Sequence, residues 1–148
     1  MAASLPASPS IPLECSASAG SGDWQLQVKF SNDSNQSFAI LRWHSPLDAW
    51  FSEFLQLSQH EKQLPYQGAK AKRLQPAAED LLVLAPGQSH VELLDLTQAY
   101  EIDNAPLKIE FSPIAVMALK PEAPLAWQNA QQQWLSCADM VMIPATSN

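Results

Sequence analysis

Zinc hydrolase chemistry needs two imidazoles one helical turn apart with a glutamate between them as base. His60-Glu61 begins such a string, but Leu64 stands where the second histidine belongs, and Pro65 discourages a helix there. His44 and His90 have no ligand-like spacing and read as surface or hydrogen-bonded residues. A Ser/His/Asp triad assembles in space rather than in sequence. Its most legible herald, a Gly-x-Ser-x-Gly elbow, does not occur. Cys15 and Cys137 are too far apart for a Cys-x-x-Cys redox pair or a zinc knuckle. Glu79-Asp80 reads as a solvated loop edge rather than an acid/base pair, and there is no glycine-rich phosphate loop. No catalytic residue, metal ligand or cofactor is therefore expected, and the chain reads as a binding protein rather than an enzyme.

The chemistry left over is that of recognition. Lys70, Lys72 and Arg73 form the one local cluster of cations in a chain of net charge −7 with eight Lys plus Arg. Such a chain repels phosphate, and three cations are too few for a nucleic-acid footprint, so neither nucleic acid nor an anionic membrane surface is an expected partner. The stretch 69–75, with Tyr66 just before it, is the candidate partner-binding loop, and Tyr66, Lys70, Lys72 and Arg73 are its candidate contacts. The plainer reading of these cations is surface ion pairing, which is worth little per pair. Of the five tryptophans, Trp24 and Trp43 fall in predicted strands and are expected in the core. Trp50, Trp127 and Trp134 lie outside them. They suit an aromatic platform for a carbohydrate or protein, or, more simply, packing in satellite clusters.

These residues must be positioned by strands. Ile11, Leu13 and Cys15 alternate as a first strand. Trp24, Leu26, Val28 and Phe30 alternate with Gln25, Gln27 and Lys29, the period-2 pattern of a half-buried strand. Ser31 to Asn35 is a turn whose side chains can bond their own backbone. Phe38 to Trp43 is apolar on both faces and is expected to be central, whereas Trp50 to Leu57 is ambiguous between a helical turn and a strand. Leu81 to Leu84 leads to Pro86-Gly87, a turn with proline preset for its first central position and glycine free for φ > 0. Val91 and Leu93 resume alternation, Asp95 can cap a single helical turn, and Leu107, Ile109 and Phe111 form a further strand. A short helical excursion is expected near 122–134, and a last strand over 135–143. The sum is an all-β, Ig-like antiparallel β-sandwich of about seven to nine strands. It spans 11–143, with flexible tails at 1–10 and 144–148.

At 148 residues the chain is the size of one domain, and no apolar run reaches the ~18 residues of a membrane span. The first ten residues carry neither a basic residue nor a continuous apolar stretch, so they do not read as a signal peptide. Cys15 and Cys137 near the two ends suit either a disulfide between the first and last strands or two buried thiols.

One string carries a resemblance. Phe30-Ser31-Asn32 is followed by Ile40-Leu41-Arg42-Trp43, Ser45-Pro46-Leu47 and Phe54. Then come Tyr66-Gln67-Gly68, Lys72-Arg73, Pro76, Asp80, Leu84, Pro86-Gly87, Asp95-Leu96 and Tyr100. This string resembles the non-catalytic β-sandwich domain that precedes the protease domain in bacterial peptidyl-lysine metalloendopeptidases of the deuterolysin group. The chain shows no counterpart of that family's paired zinc histidines, and Ala105-Pro106-Leu107 stands where the family has Gly-x-Tyr. The turn Leu84-x-Pro86-Gly87-x-Ser89 is similar to one in an Ig-like intracellular proteinase inhibitor family of bacilli. The resemblance implies a secreted or periplasmic, protein-binding module related to protease-accessory domains. The alternative it raises is a protease inhibitor presenting the 69–75 loop to an active site. A stand-alone hydrolase is the remaining alternative.

Overall fold

The alternation of Leu26, Val28 and Phe30 produces β2 (Gln25–Asn32), in which all three side chains are fully buried. The computed structural model describes residues 11–144, so the tails expected at 1–10 and 144–148 lie, apart from Pro144, outside the described residues. On either side of β2 run β1 (Leu13–Ala19) and β7 (Ser89–Asp95), both antiparallel to it. A second sheet is ordered β10 (Gln133–Leu135), β9 (Ile114–Ala118), β3 (Phe38–Leu41), β6 (Leu81–Leu84). A third is ordered β11 (Met140–Met142), β8 (Leu107–Phe111), β4 (Leu55–Gln59), β5 (Lys62–Gln63). Among the described residues the chain is thus the all-β antiparallel sandwich expected, interrupted only by brief 3-10 turns.

The strand count differs from the about seven to nine expected: there are eleven among the described residues. The last strand, read as 135–143, is broken at 136–139, so that β10 pairs with β9 and β11 with β8 in different sheets. The continuous apolar run of β9 has no period to announce it. Trp24 also departs from expectation. It precedes β2 in a turn at φ 54°, half-buried against the core, where its carbonyl accepts from Leu96 N–H at 3.1 Å. The excursion near 122–134 contains a single 3-10 turn, Asn129–Gln131.

One core joins the three sheets. Leu26, Val28 and Phe30 of β2 meet Phe38 and Ile40 of β3, Leu55 and Leu57 of β4, and Leu107 and Ile109 of β8. As expected for a central strand, β3 is buried on both faces. Its Ala39 and Leu41 turn outward into a second cluster with Leu81, Ala115 and Met117, covered by Trp43, Leu119 and Trp127. Trp43, expected within the strand core, lies instead beyond the end of β3, half-buried on that outer face.

Two polar devices tie the sandwich together. Asn32 is 1% exposed. Its amide donates to Gln36 O at 2.8 Å and Leu84 O at 2.9 Å, and its side-chain oxygen accepts from Ser34 N–H at 3.0 Å. Its own backbone pairs with Gln88 O and Gly87 N–H. The β2–β3 turn is thereby fastened to the β6–β7 turn, where Gly87 takes φ 78°, a conformation that strains any side chain. At the other device, Cys15 on β1 is bonded to Cys137 in the break between β10 and β11, with Cα atoms 4.8 Å apart.

The outer strand β7 is unusual in its facing. Opposite the buried Phe30 and Val28 it places His90 and Glu92, which therefore lie on the core side and pair at 2.6 Å. Its solvent face carries Val91 and Leu93, 46% and 56% exposed.

Closing a loop across a sequence separation of 122 removes about 5 kcal/mol of unfolded-state entropy on the chain-entropy model. We expect Cys15→Ser with Cys137→Ser to lower the unfolding free energy by up to that amount, measured by urea denaturation. A loss below ~1 kcal/mol would show that the bond constrains the unfolded chain little.

Candidate functional site

Below the second sheet the chain turns at Ser45, whose hydroxyl accepts from Leu47 N–H at 3.1 Å and donates to Arg42 O at 2.7 Å. Pro46 at the first position then starts a 3-10 turn, Pro46–Asp48. This turn places the Asp48 carboxylate inside, 8% exposed. A buried carboxylate must be paired and hydrogen-bonded to be tolerated. Asp48 accepts from the Ser52 hydroxyl at 2.6 Å, and its Oδ1 receives the Arg73 guanidinium at 2.6 Å. Arg73 also lies over the Trp43 ring, 5.4 Å from its centroid. Among the described residues, the Trp43 indole N–H and Arg73 Nε–H are buried without a hydrogen-bond partner, so the seam is not fully compensated.

Arg73 belongs to the segment between β5 and β6, and this segment is fastened along its length. Leu64 N–H bonds Leu57 O, Gln67 N–H bonds Ala99 O, and Ala71 N–H bonds Phe51 O, at 2.7, 2.7 and 2.8 Å. The Tyr66 hydroxyl donates to Ala69 O at 2.6 Å. Gly68 permits this, because a Cβ there would stand 2.6 Å from Tyr66 Cζ. Tyr66 packs in an aromatic cluster: Trp50 stacks on Phe54 at 4.9 Å, and Tyr100 meets Trp50 and Tyr66 edge-on at 5.9 and 5.6 Å. The Tyr100 hydroxyl donates to Leu55 O at 3.0 Å. Burial pushes the Tyr100 phenol well above the ordinary tyrosine range, and the Glu53 carboxylate and Tyr66 add to it. Tyr66 is raised too, by burial and then by the charges of Asp48 and Glu53.

The four candidate contacts thus divide. Tyr66 is half-buried in the aromatic cluster and Arg73 is turned inward on Asp48, so both belong to the stem of the loop. Lys70 and Lys72 are exposed. The structure adds two residues that sequence reasoning passed over. Leu74 is 97% exposed, and Phe51, on the segment bonded to Ala71, is 56% exposed. A lone leucine in a run of Lys, Arg, Gln and Pro was the available signal for Leu74. Asp48 had a local one as well, the Ser-Pro-Leu-Asp start of a 3-10 turn. Elsewhere, Glu79 is exposed while the half-buried Asp80 closes its own 3-10 turn by accepting from Ala77 N–H at 2.9 Å, a role that the reading of the pair as a loop edge did not include. Among the described residues no group of three or more His, Cys, Asp or Glu is placed to hold a metal ion, and no helix is long and apolar enough to cross a membrane.

A scan against protein-family models finds no match, and a search of curated proteins finds none either.

Removing one partner of this mostly buried pair leaves the other uncompensated. Arg73→Ala is expected to lower unfolding free energy by about 1–3 kcal/mol, with Asp48→Asn costing a similar amount. A double-mutant cycle on the two should give a coupling above ~0.5 kcal/mol; additive losses would mean that the pair contributes nothing of its own. The raised phenols set an alkaline limit. In the unfolded chain tyrosine ionises near pH ~10, while in the folded chain Tyr66 and Tyr100 keep their protons to higher pH. The unfolded state then holds fewer protons, so their contribution is complete below pH ~10 and is lost as pH rises through the folded values. Tyr100→Phe should flatten the fall in urea midpoint above pH ~10, and an unchanged fall would assign it to other groups.

Proposed function

We propose that the chain is a non-enzymatic protein-binding β-sandwich module of the kind that accompanies proteases, and that it meets its partner through the 69–75 loop. One observation carries this reading: a loop whose stem is anchored by Arg73 on Asp48 holds Lys70, Lys72 and Leu74 out in solvent. Ordering a loop in advance removes much of the entropy that binding would otherwise cost. The string behind the resemblance to deuterolysin-group accessory domains supports it. Trp43, Ser45-Pro46, Phe54, Tyr66, Gly68, Arg73 and Tyr100 are the residues that build this stem. The Cys15–Cys137 bond fits an oxidising compartment, in keeping with a secreted or periplasmic protein.

A second reading, a protease inhibitor, is favoured by the near-complete exposure of Leu74 on an anchored loop. Both readings are tested by titrating the chain against the secreted proteins of its own organism, metallo- and serine proteases included. Complex formation is followed by size-exclusion chromatography and inhibition by residual activity. The expected result is a complex that Lys70→Glu with Lys72→Glu weakens, most strongly at low salt, because exposed charges are screened within about 10 Å at 0.1 M salt. If no complex forms at micromolar concentration, the binding-module reading is wrong; a complex without loss of protease activity removes only the inhibitor.

A further inference from the structure

We infer that the Lys72–Arg73 peptide bond is a processing site, nicked in the folded chain by an endopeptidase that cuts on the carboxyl side of Lys or Arg. The product is a two-chain molecule, 1–72 and 73–148, joined by the Cys15–Cys137 bond with its fold intact. This goes beyond the proposed function and does not depend on it, since the same loop can be cut whether or not it meets a partner.

Three observations point there. First, the eight Lys plus Arg are not equivalent. Lys29, Lys62 and Lys108 are held in β2, β5 and β8, and a protease cleft accepts such chain only after it leaves the sheet. Arg42 is half-buried, with its N–H bonded to Asp80 O at 2.8 Å, and Lys120 precedes Pro121, whose ring bars the cleft. That leaves Lys70, Lys72 and Arg73, on one stretch without helix or strand. Second, these three differ in what holds them. The Lys70–Ala71 bond is tied through Ala71 N–H to Phe51 O, and the Arg73 side chain is engaged by Asp48. Lys72 is exposed, and among the described residues no backbone-to-backbone hydrogen bond is made from Lys72 to Pro76. Such a stretch opens locally without global unfolding, and exposed stretches of this kind are where nicking concentrates. Third, the rest of the molecule holds the pieces together. Each sheet takes strands from both sides of the cut: β1 and β2 with β7, β3 with β6, β9 and β10, and β4 and β5 with β8 and β11. Cys15 lies in one piece and Cys137 in the other. The hydrolysis consumes one water as the C–N bond between Lys72 and Arg73 breaks. The water oxygen completes the Lys72 carboxylate, and its two hydrogens make the Arg73 nitrogen an ammonium.

The full chain is incubated with a trace of trypsin under native conditions. It is followed by intact mass, far-ultraviolet circular dichroism and gels run with and without reductant. The first product is expected to gain the mass of one water, keep the native spectrum and stay a single band without reductant. With reductant it should separate into two chains, the second beginning at Arg73. Lys72→Gln should slow the first cut at least about fivefold, since each remaining site needs a further hydrogen bond or ion pair broken. The cutting rate should hardly change in sub-denaturing urea, because local opening exposes little surface. The inference is overturned if the first cut falls at another bond or if Lys72→Gln is cut as fast as the native chain. It is equally overturned if the rate rises with urea in step with global unfolding, or if the cut chain loses its native spectrum.

Discussion

A carboxylate withdrawn from water has to be answered by a cation, and Asp48 is answered by Arg73, 25 residues further along the chain. Much of the loop side of the molecule is arranged around that requirement. The Ser45 cap and Pro46 fold the turn that holds Asp48 inside, and Ser52 satisfies its second oxygen. The segment after β5 must then pass close enough for Arg73 to reach in, which brings Tyr66 onto Trp50 and Tyr100 and the backbone of Ala71 onto that of Phe51. Replacing the pair with apolar residues of matched volume need not weaken such a site, since desolvation offsets much of the attraction. What the charges supply is specificity of position: a guanidinium accepts few arrangements around a carboxylate.

The sandwich itself depends on a different economy. Its apolar faces are continuous, and β3 serves two clusters at once, Phe38 and Ile40 on one side and Ala39 and Leu41 on the other. Apolar contact alone tolerates slippage between strands, because a register shifted by two residues keeps every side chain on its own face. Asn32 restricts that freedom. Its amide and backbone reach both the turn that follows it and the β6–β7 turn, and each bond is lost if either strand slides.

Local signals in the sequence were readable and non-local ones were not. The alternation of Leu26, Val28 and Phe30, the two-sided apolarity of β3, the Pro86-Gly87 turn and the Asp95 cap over Leu96–Gln98 are each set by residues within a few positions of one another. The run Ile114–Ala118 could not be told from other apolar segments, since a strand covered on both faces has no period. The break that sends β10 and β11 to different sheets is decided by where their partners lie. For the same reason Lys72-Arg73 read as a matched pair of cations. Their separation into one exposed and one inward side chain depends on Asp48, which adjacency in sequence does not reveal.

The facing of β7 bears on colloidal behaviour. A seven-residue outer strand with Val91 and Leu93 on its open face has the makings of a polymerisation rail, along which copies could add edge to edge. His90 and Glu92, turned toward the core side of that strand, work against it. An incoming strand would have to strip the remaining water from both groups, each of which is about one-third exposed. The His90–Glu92 pair thus acts as a gatekeeper on the rim, against edge-to-edge addition along this strand.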